Sequence, residues 1–184
     1  MEKGMTKIPT LQELSVDAEQ AYKNDQLNLL LSQPTPEKWV KEHPFAKGVK
    51  YVPIDKVEYM LTRIFQRWHV EVREYKQLFN SITCHIRLHY LNPVNGEWEY
   101  QDGVGATAVQ LDAGSNGSDI SKIKHDAVMK ALPAAKSYAV KDAAECIGSI
   151  FGANLNRKDV VGFQPAYMNG KYSPQNLNEN GNTN

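Results

Sequence analysis

Strict alternation marks residues 82 to 90. Ile82, Cys84, Ile86, Leu88 and Tyr90 are separated by Thr83, His85, Arg87 and His89. Successive side chains of a strand point to opposite faces, so this pattern predicts a strand with one buried and one polar face. Upstream, Val70 and Val72 alternate with Glu71 and Arg73 and predict a strand over 69–75. Downstream, 98–101 predicts a third strand after a loop in which Asn95-Gly96 is a hairpin signal. A helical period governs the flanks. Val57, Met60, Leu61, Ile64 and Phe65 form one stripe and predict a helix over 54–68, with Lys56, Arg63 and Arg67 on the remaining arc. Asp55 favours its N-terminus through charge. Ala139, Val140, Ala143, Ala144, Ile147 and Ile150 predict a helix over 134–151, whose alanines permit close packing on a sheet. Leu11, Leu14, Ala18, Ala21, Leu27 and Leu30 predict a helix over 10–31, capped by Thr10 with Glu13 three residues on. A further short helix is expected from Pro36, capped by Thr35. Helices, a three-stranded antiparallel meander, then a long helix make an α+β pattern without βαβ alternation.

The 184 residues favour one domain, and 41% hydrophobic content supplies a core. The expected organisation is an N-terminal helical region over 1–46, a core domain over 47–162 and a tail over 163–184. The tail is rich in Asn, Gly, Gln and Pro with few aliphatics, so disorder is expected. No apolar run approaches the roughly 20 residues of a membrane span. The first residues lack the apolar segment of a signal peptide. Cys84 and Cys146 cannot build a disulfide framework. A cytoplasmic location with reduced thiols is the expectation.

The formal net charge is zero, but its distribution is uneven. Residues 1–46 hold five Lys and seven acids, a net −2. Residues 47–91 hold eight bases and four acids, a net +4, and residues 92–163 hold seven bases and nine acids, a net −2. The basic excess is one segment, compatible with a local charged track.

Candidate chemistry is sparse. Gly103-Val-Gly-Ala106 lacks the third glycine and the later acidic residue of a dinucleotide fingerprint, and is expected to be a tight turn or bulge after the third strand. His85 and His89 share a strand face, but four residues separate them by roughly 13 Å, too far for one metal ion. No nucleophile motif or phosphate loop is present. Asp142 and Glu145 are expected to pair with Lys141 or Arg157. Tyr51, Tyr59, Phe65, Trp68 and Tyr75 interleave with bases, a combination single-strand binders use, although Phe65 and Trp68 are expected in the core.

The ordered set of pieces resembles the Rad-fifty-two superfamily of single-strand annealing proteins, the phage Sak and DNA-damage-response protein A type. The likeness covers roughly residues 48–159. It is carried by extended Tyr51-Val52 before a helix at Lys56–Phe65, a β-meander ending in Asp102-Gly-Val-Gly105, and the helix from Ala139 to Leu155. In that helix Ala139, Val140, Asp142, Phe151 and Gly152 keep the family spacing, and Lys158-Asp159 resembles its ending. The resemblance implies a β-β-β-α core assembled into a ring or helical oligomer, with single-stranded DNA in a groove and no cofactor or nucleotide hydrolysis. Lys56 falls on the family's groove arginine. Glu145, Cys146 and Ser149 replace three of its basic residues. Lys136, Lys141, Arg63, Arg67 and Arg157 are the expected substitutes.

Two readings of function follow. One is a non-enzymatic protein that binds single-stranded DNA and anneals complementary strands in recombination or repair. Its expected partners are single-stranded DNA, the annealed duplex, further copies of itself, and a nuclease or single-strand-binding protein. The other is a small α+β enzyme or metabolite-binding domain, with the Gly-rich turn and the His85/Arg87/His89 face as a pocket.

Overall fold

The structure is a computed structural model that describes residues 17–44, 46–116, 119–160 and 162. The expected Thr10 cap and the tail over 163–184 lie outside the described residues. Helix α1 spans Ala18–Leu31, and Asp17 caps it, its carboxylate accepting from the Gln20 amide at 3.0 Å. Ala21 and Leu31 are buried on it, while Leu30 is exposed. The segment after it is a single 3-10 turn, Glu37–Trp39, and Thr35 does not cap it. The Thr35 hydroxyl instead donates to the Ile150 carbonyl at 2.9 Å, tying this segment to the far end of the chain.

Strands β1 (Lys41–His43) and β2 (Ala46–Tyr51) pair as a small antiparallel hairpin. Helix α2 covers Ile54–Phe65 and buries Val57, Met60, Leu61 and Phe65, the expected stripe. It ends three residues earlier than expected. Gln66 turns to φ 60°, and the chain enters β3 at Trp68. Arg63 and Arg67 therefore do not share a helical arc.

The main sheet has the order β3-β4-β5, with β3 at Trp68–Leu78, β4 at Ser81–Leu91 and β5 at Trp98–Ala108. The alternation read from β4 holds throughout: Ile82, Cys84, Ile86, Leu88 and Tyr90 are all buried. Each fully buried aliphatic there contributes about 1.5–3 kcal/mol of burial free energy. In β3 the pairing slips by one residue between Val72 and Glu74. Val72 opposes Ile86, but Tyr75 opposes Cys84, so the inner face passes from even to odd residues. The β4–β5 loop turns at Gly96, with φ 73°.

Gly103–Ala106 is not a turn. It lies inside β5, which continues to Ala108. Helix α3 spans Ala127–Ile147, beginning earlier and ending earlier than expected, with Pro133 inside it. Gly148 is extended and stops it, so Ile150 and Phe151 are buried from a separate 3-10 turn, Ser149–Phe151. The two glycines and the alanines explain each other. A Cβ on Gly103 would collide with the Ala139 carbonyl and the Ala143 nitrogen, and one on Gly105 with the Ala135 carbonyl and the Ala139 nitrogen. Helix backbone thus sits directly on strand backbone, which small residues on both sides allow. The α+β core is one sheet with α3 across β4 and β5, α2 beside it, and Leu27 and Leu31 of α1 joining the same core. Among the described residues no helix is long and apolar enough to cross a membrane.

Candidate nucleic-acid interface

Helix α3 places Ala134, Ser137, Tyr138 and Lys141 on one side, three or four residues apart. Two hollows meet along this side. One, of about 550 Å³, is bounded by His43 of the hairpin, Thr107 at the end of β5, Gln110 just beyond it, Tyr51, Tyr138 and Lys141. The other, of about 280 Å³, continues past Pro53 and Ile54 at the start of α2 and shares Tyr51, Tyr138 and Lys141. These three residues form the junction of the cleft. The Lys141 ammonium lies 4.7 Å from the Tyr51 ring centre and 5.5 Å from that of Tyr138. Each ring offers its negative face to the cation.

Enclosure of Lys141 lowers its pKa from the ordinary lysine value, with Glu145 acting in the opposite sense. Desolvation raises the Glu145 carboxyl, against the pull of Lys141 and Arg157. Both cations thus act on Glu145. No salt bridge joins Glu145 to either among the described residues. Asp142 does not pair with a base either: it accepts from the Val104 amide of β5 at 2.9 Å.

The other expected site residues divide. Arg157 is held near the hairpin, because Asn156 exchanges two hydrogen bonds of 2.8 Å with the Lys50 backbone of β2. Lys56 follows the edge of the smaller hollow by two residues, and its ammonium pairs with Asp55 at 2.9 Å. Exposed Lys41, Lys47 and Lys50 lie on the hairpin itself. The structure does not bring Arg63, Arg67 or Lys136 to this cleft's lining. Arg63 is exposed in the last turn of α2. Lys136 lies five residues before Lys141, about 140° around the helix, and its charge acts on Cys84 beneath the sheet. Arg67 stands over the Trp98 ring at 5.7 Å.

Tyr138 and His43 join the cleft without a sequence motif to mark them. Tyr138 sits in an alanine-rich stretch, and its place beside Lys141 matters only because the hairpin and the end of β5 converge on that side of α3. The aromatic expectation divides as well. Phe65 is core, and Trp68 is half-buried with its indole N–H donating to the Thr62 hydroxyl at 3.0 Å.

The two glycines of the alternative pocket and its histidine face lie on opposite sides of the sheet. Gly103 and Gly105 face α3, and His85, Arg87 and His89 stand on the open side of the sheet. There Arg87 makes two hydrogen bonds to Asp102, at 2.7 and 2.9 Å. That partner raises the Arg87 pKa further and holds the Asp102 carboxyl below its ordinary range. Compared with known proteins, the sequence matches no family model and no curated protein.

Proposed function

We propose that the protein binds single-stranded DNA and anneals complementary strands in recombination or repair, without ATP. The observation that carries this reading is the Tyr51–Lys141–Tyr138 junction, a cation over two aromatic rings where two hollows meet. Phosphate neutralisation supplies affinity, and aromatic faces accept bases of any sequence. Exposed Lys50 on the hairpin, Lys56 in the first turn of α2 and Arg157, whose charge acts on Glu145, add cationic groups around the cleft, in keeping with the resemblance to the annealing superfamily.

A single protomer offers a short track, whereas a single-strand binder commonly occupies about 4–16 nucleotides per module. Assembly into a ring or helical oligomer repeats the basic segment and reconciles a neutral chain with DNA binding. Both β3 and β5 are sheet edges, and an open edge is a template for pairing with another copy.

The test is sedimentation and duplex-formation kinetics at micromolar protein, with and without complementary oligonucleotides. Large homo-oligomers and faster duplex formation are expected. Lys141→Ala and Lys56→Ala should each weaken binding across all sequences and reduce the salt slope by about one phosphate contact. A strict monomer with no salt-sensitive binding and no acceleration of pairing would overturn the proposal.

A further inference from the structure

The sheet face turned away from α3 carries a second array that the cleft does not use. It is ordered in rows across the strands. His69, His89 and Tyr100 occupy one row, and Glu71, Arg87 and Asp102 the next. The His69 and His89 rings are stacked, with centres 4.6 Å apart and planes 7° apart. Trp98 meets His69 edge-on at 5.2 Å, and Tyr100 lies 6.1 Å from His89. Trp98 and Tyr100 are about half exposed, at 47% and 53%.

We infer that this face is a stacking platform for the bases of single-stranded nucleic acid, with Trp98 as the principal ring and Arg67 as the phosphate contact. The inference rests on the reading of the protein as a single-strand binder, but uses a different surface. Thr107, which lines the cleft, is seven residues from Tyr100 along β5, roughly 23 Å at the rise of a strand.

Charge separates the roles within the platform. Arg73 and His89 are engaged by Glu71, at 2.6 and 3.2 Å, and Arg87 by Asp102. The two carboxylates disfavour a phosphate over the middle row. Arg67 has no carboxylate partner among the described residues and sits at the Trp98 end. Arg87 lies 3.9 Å from the Tyr100 ring centre, fixing that ring from one side. Bases would therefore lie along the ring row with the backbone passing Arg67. A protein partner fits less well, because it would bury the Glu71–Arg87–Asp102 row and incur its desolvation. A single strand leaves that row in water.

The experiment uses the full chain and an oligonucleotide carrying 5-iodouracil, with crosslinked residues mapped by mass spectrometry. Affinities are measured alongside for Trp98→Ala, Trp98→Phe and Lys141→Ala, and sedimentation without DNA checks each variant. Crosslinks at Trp98 or Tyr100 are expected. Trp98→Ala should bind roughly five- to tenfold more weakly, the loss of one stacked base. Trp98→Phe should restore most of that loss. Crosslinks confined to Tyr51 and Tyr138, with Trp98→Ala at full affinity, would overturn the platform and leave the cleft standing. No salt-sensitive binding by the unmodified chain would remove both. Altered sedimentation of Trp98→Ala without DNA would make the face a contact between copies, and would overturn the inference too.

Discussion

The Asp142 carboxylate accepts a hydrogen bond from the Val104 amide at 2.9 Å, joining α3 to the outer edge of β5. Val104 lies between the two glycines that let the helix backbone approach the strand, so the bond pins that close approach. Gly105→Ala should be severely destabilising, by about 3 kcal/mol or more, because the colliding atoms are backbone and cannot rotate away. Thermal or denaturant unfolding measures it, and a loss within about 0.5 kcal/mol, the range of ordinary surface changes, would contradict the packing described.

Removing the acceptor is a milder change. Asp142→Ala should cost about 1 kcal/mol, the scale of one net hydrogen bond, and Asp142→Asn, which keeps an acceptor oxygen, should cost less. The Val104 amide should exchange its hydrogen faster in the alanine variant. Unchanged exchange in Asp142→Ala would show that the bond is not formed in solution.

Lys141 gives a pH signature. Its pKa is lowered by desolvation, so it loses its proton at a lower pH than an exposed lysine does. Single-strand affinity should therefore decline on the alkaline side before the ordinary lysine value of about 10.4. Folding responds in the opposite sense. The folded state binds this proton less tightly, so this group's cost to stability is present below the depressed pKa and fades as pH rises through it towards the unfolded value. Lys141→Arg, which stays charged, should hold affinity through the alkaline range. Identical alkaline profiles for both proteins would remove Lys141 from the contact.

On the acid side the Asp102–Arg87 pair is the group to follow. Arg87 lowers the Asp102 pKa, so the contribution is fully present above the ordinary aspartate value of about 3.9 and is lost as pH falls through the depressed folded value. The midpoint of Asp102→Asn should lie below that of the unmodified protein at neutral pH, and the two should converge in acid. A gap that persists at the lowest pH would assign the effect to packing, not charge.

The legible parts of the fold were those where one local period decides the outcome. Strand β4 and the stripe of α2 fall in this class, because each buries one face continuously. Three features depended on partners distant in sequence. Glycine suggests a turn, but Gly103 and Gly105 are strand residues that make room for α3. The register slip in β3 is visible only against β4. Thr35 has the place of a cap, yet the Ile150 carbonyl competes for its hydroxyl and wins. The cleft was legible only in part. Lys141 was identifiable from its position beside Asp142. Tyr138 was not, since its role follows from the hairpin and β5 converging on the same side of α3. Arg63 and Arg67 looked equivalent by spacing, and the early end of α2 separates them.

The proposed assembly makes a prediction about β3. Helix α3 covers β5 and β4 far more than β3, and the inner side of β3 is left partly bare. Val72 is 40% exposed and Tyr75 43%, and the neighbouring start of α3 presents Val128 at 42% and Met129 at 77%. A hollow of about 140 Å³ between Tyr75, Gln77, Val128 and Leu132 lies on this side, beside the open β3 edge. A second copy adding its sheet here would gain backbone hydrogen bonds at the edge and bury this apolar surface together. Tyr75→Glu introduces a charge into that contact while changing a side chain that is already partly solvated in the protomer. It should shift large species towards monomers in sedimentation, with the thermal midpoint of the isolated protomer nearly unchanged. Oligomers of undiminished size in Tyr75→Glu, with the same dependence on protein concentration, would place the contact between copies away from β3.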